Sequence, residues 1–217
     1  MNPGLAYEEL SERLLALSID AYIPERLLSA FSVAIALAKQ STTVQIIRRL
    51  REASVSRQAV YEIMLQSYLL LGFPRMLMAA ETLHQVWPAS TGDNGDPRIR
   101  PDDCARWFED GQRLCRRIYA ENFDKLRERV TAMAPEIFAW MVLEGYGKVY
   151  SRPGVDPVSR ELANVAILLV ENREQQLHSH MRGALHVGAS KSLLRTVIED
   201  IGEPAGEGYR TACRLLS

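Results

Sequence analysis

Apolar residues recur at intervals of three and four along almost the whole chain, and runs of alternating β-branched residues are missing. That period belongs to amphipathic helices, so the sequence predicts an all-α protein. Tyr7 to Ser18 reads as a lead helix with Leu10, Leu14, Leu15 and Leu17 on one side. Pro24 suits the first turn of a second helix running to about Gln40, and Thr43 to Ala53 forms a third. Ser56 is placed to cap a fourth, Arg57 to Leu71; Gly72 ends it, and Pro74 opens the next, which runs to Val86. After a long break rich in Pro, Gly, Asp and Asn (Trp87 to Pro101), Asp102 or Asp103 caps a helix to Tyr119. Asn122 to Met133 and a short segment from Pro135 follow. Gly145, Gly147, Pro153, Gly154 and Pro157 mark a second break. Val158 to Val170, Glu174 to Val187, Ser190 to Ile201 and Tyr209 to Leu216 complete the series. The long break reads as a mobile lid or as a linker.

The order of elements recurs. Phe31-Ser-Val-Ala-Ile-Ala-Leu-Ala38 is echoed by Ala163-Asn-Val-Ala-Ile-Leu-Leu-Val170. Each is followed by a polar stretch, a helix carrying an arginine (Arg48, Arg182), a turn ending in serine (Ser56, Ser190) and an apolar helix. Three short helices bury little surface alone, so each copy needs a partner, within the chain or from another chain. The expected organisation is a repeat unit over 1–86, a loop and connecting helices over 87–150, and a second repeat unit over 151–217.

Composition excludes several classes. The 26 basic and 27 acidic residues leave a net charge of −1, which argues against a generally basic nucleic-acid binder. No apolar run reaches the length of a membrane span. Met1 to Leu10 carries Glu8 and Glu9 without a basic stretch, so a secretory signal is not expected. Cys104, Cys115 and Cys213 have no metal-site or disulfide spacing and read as small buried or half-buried residues of a cytoplasmic protein. No phosphate-cradling glycine loop is present, and the i,i+2 pair His178 and His180 falls on different helix faces, so neither a metal nor a cofactor is expected.

The stretch Glu174-Gln-Gln-Leu-His-Ser-His-Met-Arg-Gly-Ala-Leu-His-Val-Gly-Ala-Ser190 resembles the signature helix and turn of carboxymuconolactone decarboxylases, with His180, Arg182, Ala184, Leu185 and Gly188 in the matching positions. Arg160-Glu161-Leu162 with Val165 to Leu168 resembles the preceding helix. Tyr61 to Leu65 with Gly72-Phe73-Pro74 resembles the helix and turn of the same fold. The resemblance covers about 30–82 and 158–201. It implies the alkyl-hydroperoxidase D-like helical fold, two fused copies in one chain, and a homo-oligomer, trimeric or hexameric. The peroxidase branch carries Glu-x-x-Cys-x-x-Cys-x-x-x-His, whereas Leu168 to His180 contains no cysteine; thiol peroxidase chemistry is therefore not expected. The first copy has Ile46 where the second has His180.

The resemblance implies cofactor-free decarboxylation, or a related proton transfer, on a small anionic lactone. Carbon must be protonated near neutral pH, which suits a histidine, and His180 is the candidate. Glu62 and Glu161 are candidate acid/base or orienting carboxylates. Glu62 shares with Gln66 a helix that is apolar nearly all round, and a buried carboxylate must be paired or hold its proton. Arg182 and His178 are candidate substrate ligands, with Arg152 and Arg160 as weaker arginines for the same task. On the Glu174 to Val187 helix, Leu177, Met181, Ala184 and Leu185 define the buried stripe, with His178 and His180 on its flanks and His186 opposite. Two other readings stand beside the enzyme: a non-catalytic oligomer of the same fold, and a helix-turn-helix regulator with Arg57 and Gln58 starting a recognition helix.

Overall fold

The computed structural model describes residues 3–90 and 98–217, and among these it contains helices and no strand. The α-helices are α1 Pro3–Ala16, α2 Ile23–Leu37, α3 Gln40–Glu52, α4 Arg57–Gln66, α5 Tyr68–Val86, α6 Asp103–Tyr119, α7 Phe123–Met133, α8 Pro135–Trp140, α9 Pro157–Val170, α10 Glu174–Val187, α11 Lys191–Ile201 and α12 Glu207–Leu216. The lid-or-linker segment falls largely on 91–97, outside the described residues. No single described helix is long and apolar enough to cross a membrane; α4 and α5 together approach that length but are bent by 118°.

The chain forms two compact units, residues 1–88 with 155–217, and residues 89–154. In the first, α2 and α9 pack on each other at the centre. Both are buried over nearly their whole length, which is why both read as near-continuous apolar runs. Around them lie α3, α4 and α5 from the first half and α10, α11 and α12 from the second. Leu10 and Leu14 of α1 complete one core.

Local chemistry sets the helix starts. Ser56 Oγ accepts from Ala59 N at 3.1 Å, Ser190 Oγ accepts from Leu193 N at 3.0 Å, and Asp156 Oδ1 accepts from Ser159 N at 2.9 Å. Each satisfies a donor that the first turn leaves open. Ser56→Ala is expected to cost about 1 kcal/mol in chemical denaturation, with an unchanged m-value.

The two halves of the first unit run a parallel course. Ala38 closes α2, and Asn172 follows α9, both at φ 52°. Gly72 (φ 76°, ψ 168°) and Gly202 (φ 70°, ψ −166°) break the helical path after α4 and α11. A buried arginine in the first turns of α2 and of α9 crosses to the opposite half. Arg26 forms a two-point ion pair with Asp200 of α11, at 2.7 and 2.8 Å. Arg160 reaches Gln66 of α4 at 3.1 Å. The hydrogen bonds that Arg26 donates to Asp200 raise its pKa above its already high ordinary value, so this guanidinium stays charged.

Three expectations are corrected. The helix predicted over Arg57 to Leu71 bends at Ser67, whose hydroxyl donates to the Met64 carbonyl at 2.6 Å, and Gly72 lies as a break inside α5. The break predicted at Gly145 and Gly147 is instead a π-helical continuation of α8, Met141–Tyr150. These residues belong to the second unit, where that segment packs against α6. A Cβ on Gly147 would lie 1.8 Å from the Trp107 carbonyl oxygen, and one on Gly111 would lie 2.0 Å from that of Val142. The glycines serve close helix approach rather than a turn. Tyr146 donates to the Tyr119 hydroxyl at 3.0 Å across the same contact. Finally, Cys115 is buried, but Cys104 and Cys213 are exposed on the outer faces of α6 and α12.

Candidate active site

α9 and α10 are joined by only three residues and form a helical hairpin. Asp156 starts α9 and fixes which residues of its first turns face α4 and α10. Glu161 and Asn164, one turn apart, meet α10, while Arg160 meets α4. All three are essentially closed to solvent.

His180 Nδ1 lies 2.8 Å from Glu161 Oε2. The His180 side chain is 11% exposed and that of Glu161 1%. His180 Nε2 has no hydrogen-bond partner among the described residues, and it is not among the fully buried atoms that lack one. One ring nitrogen is therefore held by a buried carboxylate and the other is not. With Glu161 ionised, it accepts from Nδ1–H, and it stabilises the imidazolium when Nε2 takes up a proton. The other carboxylate oxygen, Oε1, is buried without a hydrogen-bond partner.

Behind this pair runs a buried polar chain. Arg160 Nη2 donates to Glu62 Oε2 at 3.2 Å, and Arg160 Nη1 donates to Gln66 Oε1 at 3.1 Å. Gln66 Nε2 donates to the Arg160 carbonyl at 3.0 Å and to Asn164 Oδ1 at 3.1 Å. Asn164 Nδ2 then lies 3.5 Å from His180 Nδ1. Gln58 closes the far end, donating to Glu62 Oε1 at 2.8 Å.

The structure thus brings His180 and Glu161 together and places Glu62 elsewhere. Glu62 pairs with Arg160 and is separated from His180 by that guanidinium and two amides. A position read as an acid/base or as an orienter of histidine is filled by an ion-paired carboxylate. His180 lies within the buried stripe, with Leu177, Met181, Gly183, Ala184 and Val187, rather than on its flank; Leu185 is half-buried. His178 and Arg182 are exposed on other faces of α10, as is His186. His178 borders a shallow depression at the start of α10, with Asn172, Gln175 and Leu215. Asn164 was legible only as one amide inside the apolar run from Leu162 to Val170. Among the described residues, no group of three or more His, Cys, Asp or Glu converges as a metal site.

Comparison with known proteins bears on this segment. The chain is similar to 4-carboxymuconolactone decarboxylase of Acinetobacter baylyi, 38% identical over 61 residues. That stretch is 28% of this chain and 41% of the relative, so the chain matches less than half of the relative's length. The carboxymuconolactone decarboxylase family matches residues 135–216, from α8 to α12, a span that contains both Glu161 and His180. The histidine–carboxylate pair therefore lies inside the segment that matches the carboxymuconolactone decarboxylase family.

Proposed function

We propose that the chain is a cofactor-free decarboxylase-like enzyme acting on a small anionic lactone, with His180 as proton carrier and Glu161 as its orienting partner. The observation that carries the reading is the 2.8 Å contact between His180 Nδ1 and buried Glu161, inside the segment that matches the family. Loss of carbon dioxide from a carboxylated lactone leaves its bonding pair in the conjugated ring system. His180 Nε2 then hands a proton to carbon and is reprotonated from solvent. Arg182, or His178, is the proposed holder of a substrate carboxylate, each reaching from a face of α10 other than that of His180.

The parallel course of the two halves supports two related repeats, with Ile46 leaving one histidine site per chain. The exposed apolar face at the start of α5, where Phe73 stacks on Tyr68 and Leu77 and Met78 lie open, supports a homo-oligomer, for which the family resemblance implies a trimer or hexamer. Burial of Ala59, Val60, Glu62, Ile63, Met64 and Gln66 speaks against α4 as a recognition helix for DNA.

The test is carbon dioxide release from 4-carboxymuconolactone by wild type and His180→Ala. Wild-type turnover is expected, reduced at least about 10²-fold in the variant. Equal turnover in both overturns the role of His180. No turnover by folded wild type overturns the substrate and favours the non-catalytic reading.

A further inference from the structure

The two halves of the first unit keep one register. Ile23 and Pro157 open α2 and α9, Ala38 and Asn172 take a positive φ after them, Gln40 and Glu174 open α3 and α10, and Ser56 and Ser190 cap α4 and α11; each pair is 134 residues apart. The echo of Phe31 in Ala163, 132 apart, is two residues out of this register. At the spacing of 134, Arg26 stands for Arg160. Asp200, the partner of Arg26, stands for Gln66, a partner of Arg160. The buried arginine and its partner on the opposite half are thus present twice.

What lies beside them is not. In the same register Leu27 takes the place of Glu161, Ala30 that of Asn164, and Ile46 that of His180. The ring and both of its hydrogen-bonding neighbours are replaced together. All three replacements are closed to solvent and belong to the core. The first half therefore packs an apolar trio beside the same kind of arginine pair. The second half carries instead a buried carboxylate whose Oε1 has no hydrogen-bond partner, an arrangement that folding alone disfavours.

We infer that the first half holds a closed second copy of the His180 site, shut by Leu27, Ala30 and Ile46, and that the polar trio of the second half is kept at a cost in stability. The inference rests on the two-repeat reading above and not on the reaction assigned to His180. Apolar side chains of similar volume in place of a buried charged pair are neutral or stabilising, whereas removing one partner strands the other.

The closing test moves the first half's residues into the second, as Glu161→Leu/Asn164→Ala/His180→Ile. Its urea midpoint is expected at or above that of wild type. His180→Ile alone strands the Glu161 carboxylate and is expected about 1 M below wild type. A triple variant clearly less stable than wild type means that the polar trio serves folding, and it overturns the inference. The opening test is Leu27→Glu/Ala30→Asn/Ile46→His, read from the ring N–H protons of nitrogen-15 histidine-labelled protein. Wild type is expected to show a hydrogen-bonded ring N–H that is lost in His180→Gln, and the opened variant a second one beside it. A folded opened variant whose added histidine shows no such proton overturns the inference; where that variant fails to fold, the closing test decides. Carbon dioxide release is a separate readout. Folded wild type without turnover overturns the substrate reading and leaves the closing and opening results to stand by themselves.

Discussion

Arg160→Met is expected to destabilise the protein by about 3–5 kcal/mol, read as a lower urea midpoint with an unchanged m-value. Glu62 is wholly buried, and Arg160 Nη2 donates to its Oε2 at 3.2 Å. Taking away the guanidinium removes one charged partner of a buried carboxylate and leaves the Gln66 oxygen without its donor. The removed partner, rather than the worth of the pair, sets the size of the loss. The double variant Arg160→Met/Glu62→Gln therefore separates causes. It restores neutrality in the same volume and is expected to recover more than half of the loss. A double variant as unstable as Arg160→Met alone would place the cost in packing and remove the buried-charge argument. The Arg26–Asp200 pair is the comparison within the same molecule, two-point and slightly more exposed.

The legibility of such features in the sequence follows their range. Helix starts at Ser56 and Ser190 are readable because a cap and the backbone N–H that donates to it lie three residues apart. His180 and Glu161 were readable because their spacing and neighbours carry a family pattern. The burial of Glu62 was readable from the apolar residues around it, but its partner was not: Arg160 lies 98 residues away, and only the packing of α4 on α9 joins them. Asn164 is hidden in the sequence for a related reason. Its side chain has no short-range partner, and an amide in an apolar run signals burial without saying against what. Glycine was ambiguous in the opposite way. The same residue type breaks α5 at Gly72 and tightens a helix contact at Gly147, and local sequence does not separate a positive φ from a close approach.

That second use of glycine carries the other large effect. Gly147→Ala would place a methyl group 1.8 Å from the Trp107 carbonyl oxygen, and the obstacle is backbone, so no rotamer change relieves it. α6 and the π-helical segment must separate, which weakens the Tyr146–Tyr119 contact and opens the packing around Cys115. A cost of about 3 kcal/mol or more is expected, at the upper end of overpacking. Because these elements belong to the second compact unit, the loss should be local. Hydrogen exchange is expected to speed up over 103–150 while amides of α2 and α9 keep their protection. Gly111→Ala meets the same pair of elements from the other side, at 2.0 Å from the Val142 carbonyl oxygen. One separation relieves both overlaps, so the double variant should cost clearly less than the two single losses together. Strict additivity, or protection lost equally from α2 and α9, would mean that the glycines act through something other than this shared contact.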